Sequence, residues 1–411
     1  MNPLELTLGI MTAVGGFVDI SELVFAAKAG SSFGYALIWV FLLGTVGMSV
    51  FGEMCGRVAA IAKQPVFNLM RHRLGLKLGL LTLIGSLVST LITCAAEVGG
   101  MALILNYLTG WPYPLLAIAS VAALMASMWV LPFKWIERTY GLLGLFMIVF
   151  AVALVAIHPP WPKFASGFVP QVPAGLSTKE LLSYSYFIVA ILSAVLFPYE
   201  SYFYSSGSIE ERWGAKDLLT NRITCTAGFA LGSLLAISIL ASSAQLFGPI
   251  NVGPEIPGTS ALEAAIPLGK PGLLMALLGM LFAVAGAAIE TCMSNAYAVS
   301  QFFGWEWGRH SKPWEAPRFT IAWIVVMLLS LLIVITGVDV ISLVEYAVLF
   351  SIIVLPLTYL PLMLLAGDKS YMGAHANKWL ATGLGWLFFI IVTLAAIAAA
   401  PLYFLTSGGQ A

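Results

Sequence analysis

Ala194-Val195-Leu196-Phe197-Pro198-Tyr199-Glu200 cuts through an apolar run at 182–208, placing a proline and then an acid where unbroken helix would be cheapest. A second interruption, Gly15-Gly16-Phe17-Val18-Asp19-Ile20-Ser21-Glu22, falls in the first apolar run, at 6–30. Proline removes a backbone donor and frees a carbonyl. Paired glycines ahead of two acids and a serine point to an unwound segment. The two breaks lie five runs apart, at corresponding places. That pattern predicts an inverted five-helix repeat with a site at the bilayer midplane between the breaks.

The rest of the chain agrees with a membrane setting. Its 411 residues are 60% hydrophobic and only 9% charged, and mean hydropathy is +0.96. A soluble domain carries about 25% charge, so a water-soluble globule is excluded. Apolar length predicts eleven spans, near 6–30, 34–54, 78–108, 113–132, 140–158, 182–208, 222–248, 271–301, 318–336, 339–366 and 380–405. The repeats are expected over roughly 6–158 and 182–366, with 380–405 as an extra helix in a single all-α transmembrane domain. The stretches 159–181 and 249–270 read as Pro/Gly-rich outer loops with few apolar anchors. Met1-Asn2-Pro3-Leu4-Glu5 has no cationic region or small-residue cleavage site, so the first run is expected to remain as a helix. Cys55, Cys94, Cys225 and Cys292 show no paired spacing and read as small core residues.

Net charge is zero, from 19 basic and 19 acidic residues, which leaves no footprint for nucleic acid. The basic residues are distributed unevenly. Fifteen fall in one set of loops, at 57, 63, 71, 73, 77, 134, 138, 212, 216, 222, 309, 312, 318, 369 and 378. Four, Lys28, Lys163, Lys179 and Lys270, fall on the other side. The richer side is the cytoplasmic one, which predicts a plasma-membrane protein with its amino terminus inside and its carboxyl terminus outside.

Asp19, Glu22, Glu97, Glu200 and Glu290 fall inside spans, while no Lys, Arg or His clearly does. Each charge at mid-bilayer costs about 3 kcal/mol or more. A chain with buried negative charge in excess suits a cation supplied from outside. Glu53 and Glu345 lie near span ends and read as interfacial. Glu97, among small residues, and Glu290 fit a hydrogen-bonded structural acid as well as a pathway residue. Asp19, Glu22 and Glu200, beside the breaks, read as functional.

These residues resemble a known family, the Nramp divalent-metal transporters. Asp19-Ile20-Ser21-Glu22 followed by Ala26 to Tyr35 is similar to that family's first helix, with its Asp-Pro-Gly-Asn motif. Ala194 to Glu200 is similar to its Ala-x-x-Met-Pro-His-Asn motif in the sixth. Ala96 to Gly100 with Asn106-Tyr107-Leu108 resembles the third helix, and Leu355-Pro356 through Gly373 the tenth. The resemblance implies the LeuT-like fold, with a divalent metal as the transported ligand, held between the first and sixth helices, and no cofactor. Carried over by position, Asp19 is the metal-binding aspartate and Ala194 the alanine whose carbonyl touches metal. The asparagine is replaced by Glu22, the methionine by Phe197, and the two histidines by Tyr199 and Tyr204. A third-helix aspartate is replaced by Cys94, while its glutamate partner remains as Glu97.

Losing a soft thioether and gaining carboxylates favours a hard, oxygen-loving cation. Mg²⁺, which keeps several waters and takes one or two carboxylates, fits. Losing the histidines removes groups that carry protons near neutrality, as in the Nramp-related magnesium transporters. The resulting expectation is alternating-access transport of a hard divalent ion with weak or absent proton coupling. Asp19, Glu22, Ala194 and Glu200 are the expected metal ligands, with Phe197 and Tyr199 lining the site. Glu97, Tyr204 and Glu290 are candidate proton or pathway groups. Two other readings stay open. One is proton-coupled Mn²⁺ or Fe²⁺ uptake through Glu200. The other is an organic cation or amine held by Phe197, Tyr199, Tyr202 and Tyr204 through cation–π contacts. An enzyme is not expected: His72, His158, His310 and His375 lie in loops or at span ends, and no nucleophile-elbow or metalloprotease motif is evident.

Overall fold

The computed structural model describes residues 18–250, 252–253 and 257–409. Among them the chain is helical, with no strand. In order come α1 (Ile20–Phe33), α2 (Ile38–Ala62), α3 (Val66–Thr109), α4 (Tyr113–Val130), α5 (Phe133–Gly144), α6 (Ile148–Ala156), α7 (Trp161–Ser166) and α8 (Thr178–Val195). There follow α9 (Pro198–Glu210), α10 (Leu218–Leu246), α11 (Pro257–Phe303), α12 (Pro317–Ile335), α13 (Val340–Gly367), α14 (Lys369–Met372) and α15 (Trp379–Thr406). Ten stretches among the described residues are long and apolar enough to cross a bilayer, and they coincide with the second to eleventh expected spans. Of the first span, α1 supplies the second half. Gly15-Gly16, and the break expected there, lie outside the described residues.

The sixth-span break is present. Helix α8 stops at Val195, Leu196 and Phe197 leave helical geometry, and α9 restarts with Pro198 in its first turn. There the missing N–H would have had no intrahelical partner anyway. Local chemistry also fixes the opposite end of α8. Ser177 and Glu180 form a capping box, the Glu180 carboxylate accepting from Ser177 N at 2.7 Å and Ser177 Oγ from Glu180 N at 3.3 Å.

The half-helices α1, α8 and α9 are enclosed by α2, α3, α10, α11 and α13. Apolar side chains of α12 and α15, such as Ile321, Leu328, Ile390 and Ile397, are exposed on the outside, as a lipid-facing surface requires. Close approach between α1 and α10 depends on Gly30. A Cβ added there would lie 2.1 Å from the Leu240 carbonyl oxygen.

Three expectations need correction. The stretch 249–270 is not a loose loop: residues 257–268 form the first arm of α11, which turns at Gly269 (φ 68°). That arm encloses Glu263 completely, an acid the span pattern passes over. The stretch 159–181 holds α7, and its Phe164 packs edge-on against Tyr35, Trp161 and Phe168, so it has apolar anchors. Lys28 is not an outer-loop cation: it lies within α1 and meets Glu345, in the second turn of α13. Both are buried, with Lys28 Nζ 3.5 Å from Glu345 Oε1, because α1 and α13 carry them into the interior together.

Gly30→Val forces α1 from α10 and is expected to destabilise the fold by about 1–3 kcal/mol, read as a lowered thermal midpoint in detergent. Gly383→Ala, on an open face of α15, should leave the midpoint unchanged. Equal midpoints for the two variants would refute the close-approach role of Gly30.

Candidate functional site

Asp19 stands at the N-terminus of α1 with extended backbone. Its Oδ1 accepts from Glu22 N at 2.8 Å, while Oδ2 has no partner. One oxygen therefore caps the half-helix, and the other stays available. Glu22 lies one turn on, with Asp19 as its charged neighbour and Oε2 unpartnered. Across the break, the charges acting on Glu200 are those of Glu22, Asp19 and Glu290, all carboxylates, and its Oε2 also lacks a partner. Glu97 on α3 faces Asp19 and Glu290; Thr291 Oγ1 donates to its Oε1 at 3.1 Å, leaving Oε2 unpaired. Asp19, Glu22, Glu97, Glu200 and Glu290 are all at least nine-tenths buried. Each of the five sequence-predicted acids thus has another of them as a charged neighbour, and none forms an ion pair with a described residue.

They do not form a finished cage. Among the described residues no three acidic, histidine or cysteine side chains are close enough together to hold a metal as they stand. The backbone at the break adds an oxygen. Ala194 lies four residues before Pro198, which has no N–H to donate to its carbonyl. The Leu196 carbonyl is already taken, accepting from Tyr359 O–H at 3.2 Å.

The aromatic residues separate. Tyr199 is buried among Asp19, Glu200, Glu97 and Glu290; its ring centroid lies 5.4 Å from that of Phe197, and its carbonyl accepts from Ser294 Oγ at 2.8 Å. Tyr202 pairs instead with Thr358 Oγ1 at 2.8 Å and meets Phe67 edge-on. Tyr204 donates to Asn221 Oδ1 at 2.9 Å and has Glu53 as its charged neighbour. Of the four aromatics proposed as an amine cage, Phe197 and Tyr199 meet each other, whereas the rings of Tyr202 and Tyr204 meet Phe67 and Trp213 instead. Cys94 lies against the Ala288 carbonyl, and all four cysteines are free and buried.

Sequence reasoning missed the group around Arg309. This guanidinium, on the loop after α11, reaches Glu137 at 3.1 Å, Glu210 at 3.1 Å and Glu211 at 2.8 Å, and lies over the Phe133 and Phe203 rings. Glu211, just beyond α9, is held down to about 2 by the His310 ring 3.7 Å away and then by Arg309. Trp305 to His310 reads as an ordinary polar loop, and no spacing rule ties it to residues 137 and 210.

Comparison with known proteins follows this geometry. Residues 9–400 match the family model described as Nramp, natural resistance-associated macrophage protein-like. A divalent metal cation transporter MntH of Deinococcus radiodurans is 23% identical over 392 residues, covering 92% of this chain and 85% of the relative. Among solved structures, an Eremococcus coleocola manganese transporter bound to an aromatic bis-isothiourea compound superposes with a TM-score of 0.73 at 18% identity, covering 96% and 86% of the two chains. MhsT in complex with L-phenylalanine superposes at 0.64 with 14% identity, covering 97% and 98%. The LeuT-like fold expected from the sequence is the fold found.

Arg309→Met leaves Glu137 and Glu210 buried without their counter-charge and should cost about 3–5 kcal/mol. Arg222→Met removes an exposed partner of Glu53 and should cost under about 1 kcal/mol. Melting curves of the two purified variants compare them, and equal losses would refute the central role of Arg309.

Proposed function

We propose a function from one premise: the chain belongs to the Nramp family. Members are membrane transporters, and this chain is a polytopic membrane transporter rather than an enzyme. In our reading it moves a divalent metal cation by alternating access. The observation that carries this is the burial of Asp19, Glu22, Glu97, Glu200 and Glu290 as one another's charged neighbours, with no ion pair to a described basic residue and only Glu290 near one, Arg309. Oxygens left unpaired at that depth are stabilised by a visiting cation or by a proton.

Asp19, Glu22 and Glu200 are the proposed ligands, with the Ala194 carbonyl, Phe197 and Tyr199 completing the walls. Because no closed cage exists among the described residues, the ion is held through a combination of carboxylates, carbonyl and retained water. Mg²⁺, which sheds its waters reluctantly, favours such a site. Phe197 stands where the family has a methionine and offers no soft donor, which also favours a hard ion. Weak or absent proton coupling follows in this reading, since no histidine lies at the site. We assign the chain to the plasma membrane with the amino terminus inside. Burial of Lys28 supports this, since it leaves only Lys163, Lys179 and Lys270 on the outer side. The inverted repeats are proposed at about 6–158 and 182–366, followed by the extra helix.

Proton-coupled Mn²⁺ transport is the second reading. It is favoured by the likeness to the Eremococcus coleocola manganese transporter and by the unpartnered Glu200 oxygen, a candidate proton carrier.

Uptake into proteoliposomes separates them. Excess Mg²⁺ should block Mn²⁺ entry at a hard site; failure to compete favours the second reading. Asp19→Ala should abolish uptake in a folded protein, and full transport by that variant would remove Asp19 from the site. Phe197→Met should shift preference toward Mn²⁺ or Cd²⁺ by roughly tenfold, and no shift would mean this position does not face the ion.

A further inference from the structure

Past the end of α15 the chain reverses. Ser407, Gly408 and Gly409 have φ of 49°, 72° and 86°, and such a run turns the backbone back on itself. Gly408 N donates to the Tyr403 carbonyl at 3.1 Å, and Gly409 N to the Thr406 carbonyl at 3.1 Å. The turn docks on two other helices. Ser183 Oγ of α8 donates to the Gly409 carbonyl at 3.0 Å. A Cβ added at Gly409 would lie 2.9 Å from the Phe187 ring of α8, and one at Gly408 would lie 2.5 Å from Glu345 Oε2 of α13. Gly408 therefore closes against the carboxylate that meets Lys28 of α1 at 3.5 Å. A second route also leads to α1: Tyr186 and Phe187 both meet the Phe25 ring edge-on, at centroid distances of 6.2 and 6.0 Å. We propose that residues 407–409 are a clasp that seats the Lys28–Glu345 pair and so holds the outer ends of α1 and α13 shut over the central acids.

The inference rests on the transport reading above, with its orientation, and extends it to how the outer side closes. In that orientation α1 runs outward from Asp19. Lys28, six residues beyond Glu22, stands about 9 Å further out along the same helix. Both members of the pair are buried, so each depends on the other while the helices are together. Removing one leaves a buried charge uncompensated in the shut state. Parting the helices hydrates that charge, so the loss shifts the population toward the open state. Bulk at Gly408 acts in the same sense, because it strikes the Glu345 carboxylate only where the turn is docked.

The test is the distance between spin labels on cysteines introduced at Ser32 and Val338, read by double electron–electron resonance on the full-length protein in proteoliposomes. Both positions are exposed, one at the outer end of α1 and the other just before α13, while the four native cysteines are buried. Lys28→Met should raise the ratio of longer to shorter distances at least roughly tenfold. Gly408→Ala should raise it too, and so should Ser183→Ala, which releases the turn without crowding it. Leu405→Ala, exposed on α15 beside the turn, should leave it unchanged. A shift in Lys28→Met with none in Gly408→Ala or Ser183→Ala overturns the clasp, as does no shift in Lys28→Met. An equal shift in Leu405→Ala means general loosening of α15 and overturns it as well. Mn²⁺ uptake by the unlabelled wild type is measured in parallel. Its absence, with the distances shifting as expected, overturns the transport reading and leaves the clasp standing.

Discussion

The dominant constraint is the cost of a carboxylate out of reach of water. An ionised acid in low dielectric is tolerated only when it is paired, hydrogen-bonded or exposed to an aqueous path. This chain pairs several of its acids with basic residues and leaves others, five of them around the helix break and Glu263 in the first arm of α11, buried without one. Lys28 joins Glu345 between α1 and α13, Arg57 joins Glu53 on α2, and Arg309 gathers Glu137, Glu210 and Glu211. Asp19, Glu22, Glu97, Glu200 and Glu290, between them, have only one another as close charged company apart from the Arg309 group beside Glu290.

Interrupted helices make that arrangement possible. A continuous helix satisfies its own backbone and offers a passing ion nothing but side chains. Stopping α8 at Val195 and restarting at Pro198 exposes main-chain oxygens at the depth of the acids, and the cap on α1 fixes Asp19 with one oxygen free. The tight seam at Gly30 holds α1 against α10, which braces the half-helix that carries Asp19 and Glu22. Packing and electrostatics thus act on the same few turns.

Much of this was legible in the residues. Apolar length gave ten of the described spans, because hydropathy is a local property and the bilayer imposes one length on every helix. Pro198 announced the break at its true place, since proline's missing donor acts wherever it stands. The five acids were visible as charges amid apolar runs. The failures came from long-range pairing. Nothing local tells that Lys28 meets Glu345 some three hundred residues away, or that Arg309 bridges three acids from two other elements. Glu263 escaped because a Pro/Gly-rich stretch looks like loop until its tertiary contacts bury it. The aromatic group looked like a cage because four rings close in sequence need not share a face: Tyr202 and Tyr204 point to Thr358 and Asn221.

The most direct measurement is anomalous diffraction at the manganese edge from crystals of the wild-type protein grown with Mn²⁺. The account predicts a peak within coordination distance of the Asp19 and Glu200 carboxylates, close to the chain break between α8 and α9. A protein that binds Mn²⁺ yet shows its density only elsewhere, with Asp19 and Glu200 contacting no ion, would contradict it.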